Sequence, residues 1–186
     1  QRVGGEPGDE PHEQEQRECA DRVGDVHDVR FSHARRSVSE TGTLCGVERW
    51  AGTRLEGRIV ALEPLAAEHE QGLWEASRDP ALWRWLPVVQ PATRGELRAW
   101  LDDALARAEA GLDIPFATVL RSTGAVVGST RFLALRPEHR SLEIGWTWLA
   151  PTAWGTGANA EAKLLQLEDA FVRLGCRRVE FKTDAL

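Results

Sequence analysis

The stretch EIGWTWLAPTAWGTGANAEAKLL, Glu143 to Leu165, constrains the fold of this 186-residue chain more than any other. An apolar run ends at a proline, two glycines stand one residue apart, and an alanine-rich helical run follows. Backbone N–H groups at the start of a helix have no intrahelical partner and lie at the positive end of its dipole. An anion placed there gains hydrogen bonds and charge stabilisation together. Gly155, Gly157, Ala158 and Ala160 would let a ligand approach the backbone closely. A plain strand-to-helix turn needs only one glycine, so a phosphate-bearing ligand is expected.

Gly155 to Ala160 also satisfy G-x-G-x-x-[G/A], the dinucleotide fingerprint, with Glu180 or Asp184 available to hold a ribose. Against that reading, the residues APTAW separate strand from glycine where the fingerprint wants a tight turn. Only one strand–loop–helix unit exists, and the strands before it follow one another as a meander. A P-loop is excluded, because no G-K-[ST] follows the glycines.

The remaining pattern places this unit at the end of an α/β domain with a mixed sheet, in the order β-α-α-β-β-β-α-β. Arg58 to Leu65 alternates as a strand, and AAEHEQGLWEASRD reads as a short helix with Leu73 and Trp74 inward. PALWRWLPVVQP is a Pro-bounded aromatic loop. Thr93 and Glu96 form a capping box ahead of the stripe Leu97, Trp100, Leu101, Ala104, Leu105 and Ala108, and Gly111 supplies the stop. IPFATVL, AVVGSTRFLAL and SLEIGWTWLA are three β-rich runs, the first two joined by an RSTG turn. Leu164, Leu167, Phe171 and Leu174 stripe the last helix, Gly175 ends it, and CRRVEFKT is a further strand.

Composition narrows the function classes. The net charge is −6, and residues 1–48 hold eleven acidic against six basic side chains, which leaves the rest nearly neutral. That segment lacks apolar periodicity, so it is expected to be disordered or extraneous, and the domain spans 49–186. Nothing suggests a basic stripe for nucleic acid, a membrane-seeking face or a signal peptide, and a cytoplasmic protein is the expectation. Cys19, Cys45 and Cys176 suit reduced thiols, with Cys176 a small core residue. Cys19 with His12, His27 and His33 matches no zinc spacing, so no metal is expected. The chain begins at Gln1 and contains no methionine, as a fragment or processed chain would.

The element order, and a strand feeding a glycine loop at the start of an amphipathic helix, resemble the GNAT superfamily of acetyl-CoA-dependent N-acetyltransferases. EIGWTWLAPTAWGTGANAEAKLL is similar to that family's [R/Q]-x-x-G-x-[G/A] pyrophosphate motif. EIGWTWL and LGCRRVEFKTDAL resemble the RimJ/RimL-like branch of ribosomal-protein N-acetyltransferases. The resemblance covers about residues 55–186 and implies acetyl-CoA as co-substrate. Trp154 takes the Arg/Gln slot, Gly157 the invariant glycine, and Asn159 departs from the final Gly/Ala slot. Gly155, Thr156, Gly157 and Ala158 are therefore stronger phosphate contacts than Asn159, with Ala160 completing the loop. Thr147, Trp148 and Leu149 fall where the family offers backbone groups to pantetheine and an N–H to the thioester carbonyl. Glu143 matches a position where members keep a general base. Strand alternation would put Glu143, Gly145, Thr147 and Leu149 on one face.

Alternatives stay open for several residues. Glu143 is either that base or a structural carboxylate paired with an arginine such as Arg131. Trp83 and Trp85 are either a wall of the acceptor site or core packing. Lys163 either reaches a phosphate or is a solvated surface side chain. The resembling fold continues with another helix and two strands beyond Leu186, which implies weak acetyl-CoA binding and slow or absent turnover here. Expected partners are an amine acceptor, a protein N-terminus or a small molecule, with a homodimer as an option. A nicotinamide-dependent oxidoreductase and a non-catalytic acyl-CoA-binding module are the rival functions.

Overall fold

The computed structural model describes residues 50 to 183 apart from 85 and 87. The chain divides into two units, Gln1–Gly42 and Thr43–Leu186, and every described residue belongs to the second. The expectations for residues 1–48, and for the cluster of Cys19 with His12, His27 and His33, lie outside the described residues, as do Cys45 and Asp184.

Among the described residues, six strands form one sheet in sequential order: β1 (Leu55–Glu56), β2 (Val60–Pro64), β3 (Ile114–Leu120), β4 (Val126–Arg136), β5 (Ser141–Leu149) and β6 (Arg178–Glu180). All neighbours are antiparallel except β5 and β6, which run parallel because a helix crosses between them. The helices are α1 (Glu70–Ala76) and α2 (Arg94–Glu109), between β2 and β3, and α3 (Ala158–Glu168), between β5 and β6. This is the expected mixed α/β sheet, with the short β1 added at its edge. A doubly wound parallel sheet would need several strand–helix–strand units, and the described residues hold one, β5–α3–β6.

Both faces of the sheet are covered. On one, Val60, Leu62, Phe116, Phe132, Leu142, Ile144 and Leu149 pack against Ala158, Ala162 and Ala170 of the α3 segment. On the other, Ala117, Trp148 and Ala150 pack against Leu73 of α1 and Leu97, Leu101 and Ala104 of α2. The α2 stripe is therefore inward, as its spacing predicts. Its cap forms too: Thr93 Oγ1 accepts from the Glu96 N–H, and Glu96 Oε2 accepts from the Ala92 N–H at 2.7 Å. Gly111, with φ of 74°, takes the left-handed conformation that ends the helix.

The stripe expected on the last helix holds only in part: Leu174 is buried and Leu167 packs against the core, but the other two positions do not turn inward. Leu164 is 63% and Phe171 47% exposed; the residues facing the sheet are Ala158, Ala162, Gln166 and Ala170. Phenylalanines and branched side chains from the strands already fill that interface, so the helix contributes small ones and lies close. A π-helical turn at Asp169–Arg173 then shifts the register. Leu174 and Cys176 complete the core beyond that turn.

Candidate active site

The site is organised by an irregularity in β5. Ser129 pairs with Trp148 and Arg131 with Gly145, so Trp146 and Thr147 together oppose Thr130. This is a β-bulge, and Trp146 has a φ of 50°. A bulge inserts one residue into a period of two and reverses the facing of everything after it. Leu142 and Ile144 face the α3 layer before the bulge; Leu149 faces that layer after it, and Trp148 the α1–α2 layer. The expectation that Glu143, Gly145, Thr147 and Leu149 share one face is corrected accordingly. Glu143 and Gly145 point to the α1–α2 side, Thr147 and Leu149 to the α3 side.

A buried charge network underlies the bulge. Arg131 (4% exposed) donates to Asp113 (3% exposed) at 3.2 Å. Arg107 reaches the same carboxylate with two N–H groups, at 2.6 and 3.1 Å. The Arg131 guanidinium lies 4.9 Å from the Trp146 ring centre and 5.7 Å from that of Trp100. Burial lowers the Arg131 pKa, and Asp113 opposes that shift.

Glu143 is buried, and its Oε2 lies 2.7 Å from the Lys182 Nζ. The arginine considered as its structural partner, Arg131, belongs to Asp113, and Glu143 pairs with exposed Lys182 instead. Glu143 lines a cleft of about 970 Å³ that also touches Thr147, Trp148, Leu149, Trp154, Asn159 and Lys163. The cleft thus runs from the carboxylate, past the bulge, to the glycine loop.

At that loop Gly155 and Gly157 have φ of 70° and 84°, a region L side chains rarely occupy. Trp154 Nε1–H donates to the Leu149 carbonyl at 2.7 Å and ties the loop to the strand end. Thr156 Oγ1 donates to the Ala153 carbonyl and accepts from the Ala158 N–H. The first intrahelical bond comes from Glu161 N–H to the Gly157 carbonyl. The N–H groups of Ala158, Asn159 and Ala160 precede it at the positive end of the helix dipole. Trp154 and Asn159 border the cleft, whereas Gly155, Thr156 and Gly157 in the turn and Ala158 and Ala160 at the start of α3 are not among the residues lining it.

Lys163 is not a solvated surface side chain. Its Nζ donates to Thr130 Oγ1 at 2.9 Å, Thr147 Oγ1 at 2.5 Å and Gln166 Oε1 at 3.0 Å. Burial pushes its pKa down to about 8. Trp83 is buried: its ring packs 5.6 Å from Trp148 and its Nε1–H donates to the Ser77 carbonyl. Leu82 and Leu86, from the same loop, form the cleft wall, while Trp85 lies outside the described residues. No three His, Cys, Asp or Glu side chains among the described residues could hold a metal ion, and no described helix is long and apolar enough to cross a membrane.

The sequence reading missed two residues that build the site. A Cβ on Gly128 would lie 2.0 Å from the Trp148 carbonyl oxygen, so only glycine lets β4 approach β5 there; a glycine inside the β-rich run AVVGSTRF was the available signal. Glu161 accepts from the Arg58, Ile59 and Val60 N–H groups at 2.9, 2.6 and 2.8 Å, pinning α3 to the start of β2. Burial alone would raise its pKa, but these three bonds outweigh that and hold it below the ordinary value of 4.5. Its contribution to stability is therefore complete above pH 4.5 and lost as pH falls through the lower folded value. Glu161→Gln is expected to cost about 1–2 kcal/mol at neutral pH and to flatten the acid limb of a urea-unfolding series.

The acetyltransferase (GNAT) domain family matches residues 60–186, and the chain belongs to that family. A GCN5-related N-acetyltransferase from Brucella melitensis is similar at 32% identity and a TM-score of 0.65, over 70% of this chain and 60% of that one. A probable GNAT-family acetyltransferase from Chromobacterium violaceum is similar at 25% identity and a TM-score of 0.62, over 79% of this chain and 75% of that one. RimL, the ribosomal L7/L12 alpha-N-protein acetyltransferase, shares the fold at 17% identity and a TM-score of 0.60, over 69% of this chain and 70% of that one. The chain thus spans less than two thirds of the Brucella protein's length. No curated protein matches the chain.

Proposed function

We propose that this domain binds acetyl-CoA along β5 and transfers the acetyl group to a primary amine by direct attack within a ternary complex. The observation that carries this reading is the bulge, which brings Glu143 and Thr147 from opposite faces of one strand into a single cleft ending at a helix N-terminus. Acetyl-CoA supplies the activated acyl group as a thioester. The turn from Trp154 to Ala160 would hold its pyrophosphate, and the backbone of Thr147, Trp148 and Leu149 its pantetheine. The bulge takes Trp146 and Thr147 out of the regular ladder, which frees backbone N–H groups to stabilise charge on the thioester carbonyl.

An amine is mostly protonated at neutral pH and must lose a proton to attack. Glu143 takes that proton, directly or through a water. The Lys182 ammonium on this carboxylate supports the assignment, because it is a primary amine of the kind an acceptor would present. Leu82, Leu86, Leu133 and Phe181 line the cleft beside Glu143, so the acceptor carries an apolar body next to its amine. A protein N-terminus and a small-molecule amine both meet that description.

The test is stoichiometric. The chain is incubated with acetyl-CoA and a panel of amines while free thiol and amide product are followed together by mass spectrometry. One amide per thiol is expected; thiol release without amide would make the protein a thioesterase and end this reading.

A further inference from the structure

Only two of the 23 basic residues are lysines, Lys163 and Lys182, and both border the cleft. Arginine keeps its proton at any pH a protein experiences, whereas lysine can release one. A chain that uses arginine nearly everywhere thus places both of its lysines in one cavity. Lys163 is the more unusual of them. Its ammonium has three donors, all directed at neutral oxygens, those of Thr130 on β4, Thr147 on β5 and Gln166 on α3.

No carboxylate among the described residues pairs with Lys163. The other charged groups bordering the cleft are Glu143 and Lys182, which pair with each other. On α3 itself, Glu161 is held by the backbone of residues 58–60, and beyond the helix end Asp169 is held by Arg173. Arg131 of β4 pairs with Asp113. The Thr130 hydroxyl donates to Gln166 Oε1 at 3.1 Å, so the 2.8 Å contact between the two hydroxyls is donated by Thr147; Thr147 also lies 3.5 Å from the Gly145 carbonyl and, lining the cleft, can turn its hydrogen there instead.

We propose that Lys163, acting through the Thr147 hydroxyl, supplies the proton taken up by the sulfur of the departing thiol. The inference rests on the acetyl-CoA reading above. As the amine nitrogen bonds to the acetyl carbon, the carbon–sulfur bond breaks and its electron pair stays on sulfur. Sulfur takes the Thr147 hydroxyl proton, and Thr147 takes one from the Lys163 Nζ. The proton lost by the amine goes to Glu143, which returns it to solvent, while Lys163 regains one from solvent. Charge and atoms balance: acetyl-CoA and amine become amide and free thiol.

Two lysines make the test direct, because isotope-labelled lysine gives two side-chain NMR signals and Lys182→Arg assigns them. The full chain is titrated with pH alone, with CoA and with desulfo-CoA, which lacks the sulfur. Lys163 is expected to titrate near 8 in the free protein. CoA should raise that midpoint, since a neighbouring thiolate favours the charged form, and desulfo-CoA should leave it in place. Lys163→Arg, which keeps the charge but not the releasable proton, should lower kcat about a hundredfold and abolish the matching limb of the pH–rate profile. If CoA and desulfo-CoA both raise the thermal midpoint yet give Lys163 the same titration, the proton role is overturned while acetyl-CoA binding stands. If neither raises the midpoint, the acetyl-CoA reading fails and the inference goes with it.

Discussion

Glu143→Gln is expected to lower kcat for amine acetylation by about a hundred- to ten-thousand-fold, with the affinity for acetyl-CoA unchanged. The substitution keeps shape and one acceptor oxygen, so the buried position and its contact with Lys182 survive. It removes the capacity to take a proton together with the negative charge, and the Lys182 ammonium, being exposed, is then neutralised by solvent. The loss should therefore shrink as pH rises toward the pKa of the acceptor amine, where the nucleophile arrives already deprotonated. A purely structural carboxylate would show no such recovery. Steady-state rates of both proteins across pH decide between them, and equal kcat at neutral pH would remove Glu143 from the chemistry.

Asp113→Asn has the largest expected effect on stability, about 3–5 kcal/mol. Asp113 neutralises Arg131, and both side chains are almost wholly buried, with the Arg131 guanidinium beside Trp100 of α2 and Trp146 of β5. Removing the charge from one member leaves a buried guanidinium uncompensated, and Arg107 adds a second cation beside it. Replacing both partners together, as Asp113→Leu with Arg131→Met, should cost much less than the single change, because no charge is then stranded. The single variant should also bind acetyl-CoA more weakly, since Arg131 stacks on the residue that forms the bulge. Urea unfolding measures the first effect. A loss below about 1 kcal/mol would mean that water reaches Arg131 and that the network does not hold the bulge.

The elements were largely legible because apolar spacing and punctuation agreed with one another. Thr93 and Gly111 bracket a helix, RSTG joins two strands, and GTGANA opens α3. Glu143 and the loop were legible for a related reason: a carboxylate in an apolar strand and a pair of glycines are both unusual. The bulge was not legible, since one inserted residue leaves no mark on composition yet reverses every later side chain. The α3 face misled, because leucines suggest an inward stripe, while a sheet rich in large side chains accepts alanines there. Lys163 at helical spacing reads as surface; only its rarity among arginines hinted otherwise. Asp113, just before β3, meets Arg131 of β4 across 18 residues of sequence, a pairing that local pattern does not encode.

The central claim is that the cleft from Glu143 to the glycine loop is built for acetyl-CoA. It is tested most directly by following the thermal midpoint of the chain against rising acetyl-CoA, CoA and NAD. A ligand that binds only the folded state raises the midpoint by mass action. Acetyl-CoA and CoA are expected to raise it in a saturable manner and NAD to leave it unchanged; a rise with NAD and none with CoA would contradict the account.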